Sequence, residues 1–126
     1  MNFELSAEQK MLRDAAQKYL QSEYAFDARN KIIASDVGMS AAHWKQFADM
    51  GWLGLGLPEA HGGFGGVIEL TQVAEAMGAA LVVEPYLAST VLGAQALALA
   101  GTSAQQQAWL PAVAAGERIL ALAHGE

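Results

Sequence analysis

The sequence predicts an all-α domain, and three observations carry that prediction. Capping residues stand ahead of several segments, apolar residues inside those segments recur at helical spacing, and only two short runs could pass for strands. With 126 residues and no cysteine, the chain is one domain by length, built on a packed core and not on disulfides or thiolate metal sites. Hydrophobic residues make up 53% and charged residues 16%, against a usual charged share of about 25%. Such a composition implies a large core, or apolar surface that awaits a partner.

The first helix starts at a capping box, Ser6-Ala7-Glu8-Gln9, and runs to about Glu23. Leu12, Ala15, Ala16, Tyr19 and Leu20 form its inner stripe. Asp27 to Ala34 reads as one or two helical turns, broken at Gly38. Ser40 caps the next helix, which turns Trp44, Phe47, Ala48 and Met50 inward and stops at Gly51. Trp52 to Leu57 is apolar with two glycines and no second strand nearby, so it reads as an extended buried connector. Pro58 to Gly66 is a loop whose Gly62-Gly63-Phe64-Gly65-Gly66 demands unusual backbone angles or close packing.

A third long helix spans about Val67 to Leu81, with Leu70, Val73, Ala74, Met77 and Leu81 as its stripe. The next begins at Pro85, a favoured first-turn residue, and ends at Gly101. It is apolar almost all round, which places it centrally or against another domain. Ser103-Ala104-Gln105-Gln106 resembles a capping box for the last helix, which Pro111 should kink or split and Gly116-Glu117 should end. Arg118 to His124 reads as the first strand of something new, and a lone strand is not stable. The expectation is a domain boundary, with 1–117 helical and 118–126 the start of a β-domain.

Charge narrows the functional classes. Residues 1–45 balance six basic against six acidic residues, whereas 46–126 hold Arg118 alone against seven acidic residues. No basic cluster exists to displace counterions from phosphates, so nucleic acid is set aside. The N-terminus lacks a signal peptide, and the weakly polar stretch Tyr86 to Gly101 is too short to span a membrane, so a cytoplasmic location is favoured. The glycine pairs match neither G-x-G-x-x-G nor the P-loop. His43, His61 and His124 have no metal-ligand spacing; His43 reads as an exposed first-turn residue, His61 as a loop residue, and His124 ends the expected strand. No serine sits in a nucleophile elbow, and Glu69 and Glu75 are too far apart on their helix to act as a pair. Residue chemistry alone stops at a soluble helical domain with an apolar interface.

The order of pieces carries more. Phe3-Glu4-Leu5-Ser6-Ala7-Glu8-Gln9 with Leu12-Arg13, the run from Trp44 to Gly56, Leu57-Pro58-Glu59 with Gly62-Gly63, Leu110-Pro111 with Gly116-Glu117, and the strand start at Ala121–Glu126 follow one another over the whole chain. In that order and spacing they resemble the acyl-CoA dehydrogenase family. Tyr24 to Arg29 and Val82 to Tyr86 look like a bacterial subgroup similar to pimeloyl-CoA dehydrogenase small chains.

The resemblance implies a helical N-terminal domain followed by a β-domain and a second helical domain. FAD would lie between the β-domain and the C-terminal helices, and the acyl chain between N- and C-terminal helices. A carboxylate of the C-terminal domain would remove the α-proton while the β-hydrogen leaves as hydride to the flavin, so no catalytic residue falls in this chain. The acyl-pocket positions would be Ala88, Ser89 and Leu92, and the flavin-facing positions Leu122, His124 and Gly125. Leu122 and Gly125 stand where many members carry an aromatic and a hydroxyl residue. The implied partners are an acyl-CoA substrate, the β- and C-terminal domains, further subunits in a homo- or hetero-oligomer, and an electron-transfer acceptor. The reading is thus an antiparallel bundle of five or six helices within an FAD-dependent acyl-CoA dehydrogenase. A helical interaction module is the alternative, as is a flavin oxidase or monooxygenase of the same fold.

Overall fold

A computed structural model describes residues 4–125, so the Phe3 end of the first motif and Glu126 lie outside the described residues. Six α-helices, two 3-10 turns and a π-helix account for the regular structure, and no strand forms among the described residues. Contacts divide the chain into two units, one of residues 4–39 and 67–83, the other of 40–66 and 84–125.

The first unit holds α1 (Ala7–Glu23), α2 (Phe26–Ile33) and α4 (Val67–Ala79). Ser6 Oγ accepts the Gln9 N–H at 3.2 Å and Gln9 Oε1 accepts the Ser6 N–H at 2.9 Å, so the expected capping box is complete. Ala16 and Leu20 of α1, and Leu70, Val73, Ala76 and Met77 of α4, form the buried stripe where the two helices pack. Gln9 Nε2 donates to Glu69 Oε1 at 2.7 Å near both helix starts, and Val83 N–H donates to the Tyr24 hydroxyl at 3.0 Å beyond both ends. The pair is therefore parallel, where the helix order suggests antiparallel neighbours. A parallel pair needs a long connection, and residues 24–66 supply it.

Leu81 follows α4 at φ 53°, a left-handed position that glycine normally takes. Its N–H reaches Gly78 O at 3.1 Å, Val82 N–H reaches Met77 O at 3.0 Å, and Arg29 Nε donates to Leu81 O at 2.7 Å. These bonds hold a leucine where its own Cβ disfavours the conformation.

The second unit begins with α3 (Ala41–Asp49), capped by Ser40 Oγ on the His43 N–H at 3.2 Å and followed by Gly51 at φ 76°. Trp44 and Phe47 are buried, and Phe47 stacks on Trp52 at 5.3 Å between ring centroids. Trp52–Gly54 is a 3-10 turn, so the expected extended connector is corrected to a coiled one, buried from Trp52 to Leu55. Its apolar side chains face several directions at once, which a tight turn inside a core accommodates. Gly63 lies against this connector so closely that a Cβ would stand 2.0 Å from Leu57 O. The glycine-rich loop is thus a packing device.

The π-helix Leu87–Ala94 runs directly into α5 (Gln95–Ala100), and a tight turn leads to α6 (Ser103–Ala114). The cap of α6 is Thr102 with Gln105, one residue ahead of the expected box. α6 continues through Pro111 without the expected break. Pro111 and Gln107, four residues earlier, are both exposed, so water can satisfy the carbonyl that proline leaves unpaired. Gly116, at φ 75°, closes the helix as expected: its N–H bonds Val113 O at 2.9 Å, and Glu117 N–H bonds Ala112 O at 2.8 Å. Residues 118–125 form no ladder, because a strand needs a neighbour to share its hydrogen bonds.

Candidate functional site

The helix from the π segment through α5 is inverted relative to a simple amphipathic element. Ser89, Thr90, Gly93 and Ala94 are buried, while Leu87, Leu92 and Leu99 are 64%, 46% and 86% exposed. Small and hydroxyl side chains face the core, and three of the element's leucines face out, while Leu97 packs inward on the cluster of Leu57, Ala94, Leu110 and Val113. Burying a leucine side chain favours folding by about 1.5–3 kcal/mol, so this outward arrangement needs a reason beyond the unit's own packing. π-Helical turns are rare and concentrate at functional sites.

Two buried polar groups anchor the entry to this helix. Glu84 is buried and accepts the Ser40 N–H at 2.9 Å. Tyr86 donates its hydroxyl to Trp52 O at 3.1 Å, and burial raises that hydroxyl's pKa far above the usual tyrosine value. The Thr90 hydroxyl has no hydrogen-bond partner although it is fully buried.

The sequence-derived positions fall on two neighbouring elements. Ala88 and Leu92 lie on the outward face of the π-helix, exposed. Ser89 faces inward, and its Oγ accepts the Leu120 N–H at 3.0 Å. Leu122, His124 and Gly125 lie along the exposed segment after Leu120. The structure therefore brings Ser89 to the exit segment and leaves Ala88 and Leu92 facing away from the core. A shallow groove of about 260 Å³ runs beside this junction, lined by Gly93, Leu97, Gln105, Trp109 and Leu120–Leu122.

Sequence reasoning missed Gly93 and Leu120. A Cβ on Gly93 would stand 2.7 Å from Leu120 Cβ. The available signal was a glycine inside a helix, which costs about 1 kcal/mol relative to alanine unless something must approach closely. Of the histidines, His43 is half-buried and stacked on Phe47 at 6.4 Å between ring centroids, where an exposed residue was expected. No group of three or more His, Asp or Glu among the described residues could hold a metal ion. No helix among the described residues is long and apolar enough to cross a membrane.

Comparison with known proteins gives this geometry its context. Residues 6–117 match the family model for the N-terminal domain of acyl-CoA dehydrogenases. The chain is 43% identical over 81 residues to acyl-CoA dehydrogenase FadE27 of Mycobacterium tuberculosis, covering 64% of this chain and 22% of that protein. It is 31% identical over 121 residues to the probable acyl-CoA dehydrogenase YngJ of Bacillus subtilis, covering 92% of this chain and 31% of that protein. Among solved structures, a chain of the ChsE4-ChsE5 complex from Mycobacterium tuberculosis superposes with a TM-score of 0.86 at 30% identity, covering 96% of this chain and 34% of that one. The chain thus spans between 22% and 34% of the length of these relatives.

Proposed function

The chain belongs to the acyl-CoA dehydrogenase N-terminal domain family, and from that premise we propose that it supplies the acyl-chain wall and one edge of the flavin site in an FAD-dependent acyl-CoA dehydrogenase. The observation that carries this reading is the inverted helix. Exposed Leu87, Ala88 and Leu92 offer a hydrocarbon chain an apolar surface that the unit's own core does not use.

Bound FAD would supply the hydride acceptor for the β-hydrogen of the acyl thioester, with Leu122, His124 and Gly125 placed along one edge of its ring. The residues present fit an edge of the flavin ring and not its phosphates. Leu122, His124 and Gly125 are exposed on a segment outside any helix, free to present an apolar side chain, an imidazole and backbone N–H groups. No Lys or Arg lies between Lys45 and Arg118, so other parts of the protein would hold the phosphates of FAD and of CoA. The acyl-CoA substrate, the β- and C-terminal domains with the carboxylate that removes the α-proton, the further subunits and the electron acceptor all belong to this same proposal.

The test is Ala88→Trp in the flavin-containing protein. Filling the wall should lower kcat/KM for long acyl-CoA thioesters about tenfold, a loss of about 1.4 kcal/mol, while short thioesters keep theirs. An unchanged chain-length profile refutes the wall and favours the helical interaction module. Stoichiometric hydrogen peroxide without an external acceptor would point instead to a flavin oxidase of the same fold.

A further inference from the structure

We infer that Ser89 is a positioning residue whose hydroxyl, together with the bare face of Gly93, clamps Leu120 and so sets how Leu122, His124 and Gly125 are presented to the flavin. The inference rests on the flavin-edge reading above. It assigns Ser89 a role through the exit segment and not through contact with the acyl chain.

A fully buried hydroxyl in an apolar helix needs a hydrogen-bond partner. Ser89 Oγ finds one in the Leu120 N–H at 3.0 Å, whereas the adjacent Thr90 hydroxyl, equally buried, finds none. The bond to Leu120 is thus specific to Ser89 and not a general property of this helix face. Gly93, one turn further along the same face, leaves room for Leu120 only because it has no Cβ. The Leu120 side chain then packs against the cluster of Leu57, Ala94, Leu110 and Val113. Leu120 is held through its N–H and its side chain together. Upstream, the Arg118 N–H bonds Ala112 O at 3.2 Å. Downstream, residues 121–125 are exposed. The segment is therefore tied at 118 and 120, and the tie at Leu120 stands two residues before Leu122. Any shift of Leu120 is passed directly to the flavin-facing positions. The same helix carries the exposed Ala88 and Leu92, each one residue ahead of Ser89 and Gly93, so one element joins the acyl wall to the flavin edge.

Hydrogen-exchange mass spectrometry on the flavin-containing protein, with Ser89→Ala, Ser89→Thr and Gly93→Ala, tests the clamp. Ser89→Ala should speed exchange of peptides covering 118–125 roughly three- to tenfold, the factor expected for one lost hydrogen bond. Peptides from 103–114 should exchange as before. The dissociation constant for FAD should rise by a similar factor, with a shifted flavin absorbance band. Ser89→Thr, which keeps the hydroxyl, should restore both. Gly93→Ala should loosen the same peptides by pushing Leu120 from its other side.

Unchanged exchange at 118–125 overturns the clamp. Faster exchange spread evenly over the chain overturns it too, because that is loss of stability and not of positioning. Faster exchange at 118–125 with FAD affinity and spectrum unmoved overturns the link to the flavin. Flavin content of the wild type is read first: its absence refutes the flavin-edge reading, whereas an unmoved exchange rate in a flavin-loaded protein refutes the clamp alone.

Discussion

Glycine-to-alanine substitution should stabilise at one helical position, Gly78, and fail to stabilise at another, Gly93. An alanine in place of a helical glycine ordinarily stabilises by about 0.5–1 kcal/mol, through lost chain entropy in the unfolded state. At Gly78 nothing lies within 4 Å of the added Cβ, so Gly78→Ala should show that gain. At Gly93 the added Cβ would stand 2.7 Å from Leu120 Cβ and 3.2 Å from Ala88 O. Non-bonded carbons are most stable about 3.5–4.0 Å apart. Leu120 must therefore retreat from its seat on Leu57, Ala94, Leu110 and Val113. Overpacking of this kind costs about 1–3 kcal/mol. The two terms leave Gly93→Ala between neutral and about 2.5 kcal/mol destabilising. The gap between the two variants, about 1–3 kcal/mol, isolates the steric term. Urea denaturation followed by far-ultraviolet circular dichroism measures it as a difference in midpoint at equal slope. Equal midpoints for the two variants would show that Leu120 does not seat on Gly93, and the physical basis of the clamp would fail.

Stability should be full below pH 10.0, the ordinary tyrosine value, and decline as the pH climbs above it, because folded Tyr86 holds its proton longer than the unfolded chain does. Tyr86→Phe should flatten that alkaline decline in denaturant titrations at pH 8 and 11, and an identical decline would exclude Tyr86 as its source. Thr90→Val replaces an unpartnered buried hydroxyl by a methyl of similar size and should stabilise by about 1 kcal/mol; a lower thermal midpoint would mean that the hydroxyl is engaged. Leu81→Gly relieves a left-handed leucine that is 62% exposed and should raise stability by about 1 kcal/mol. A fall in the thermal midpoint would show that the leucine side chain matters more than its backbone strain.

The amino-acid sequence determined what depends on residues within a few positions of one another. Ser6 with Gln9, Ser40 at the start of α3, Gly51 behind it and Gly116 behind α6 all act over one turn of chain, and each stands where its chemistry requires. The all-α class and the family resemblance were legible for the same reason: short motifs in a characteristic order survive without knowledge of contacts. The positions proposed for the acyl wall and the flavin edge were named only through that resemblance. Even where a local rule applied, a one-residue choice escaped it: Thr102 and Ser103 are both capping residues with a glutamine three positions on, and the cap is Thr102 with Gln105.

What tertiary structure decided involves partners far apart in the chain. Tyr24 meets Val83 across 59 positions and makes α1 and α4 parallel. Ser89 meets Leu120 across 31 positions and turns the hydroxyl side of an apolar helix inward. With apolar residues on every side of that helix, periodicity held no information about which side is inner. On the inner side, Ser89 Oγ accepts the Leu120 N–H and Gly93 leaves room for the Leu120 side chain, while Tyr86 and Gln95 donate to Trp52 O and Leu55 O. Periodicity reports only where hydrophobic groups can go; close approach and hydrogen bonding between distant segments determine where they do go.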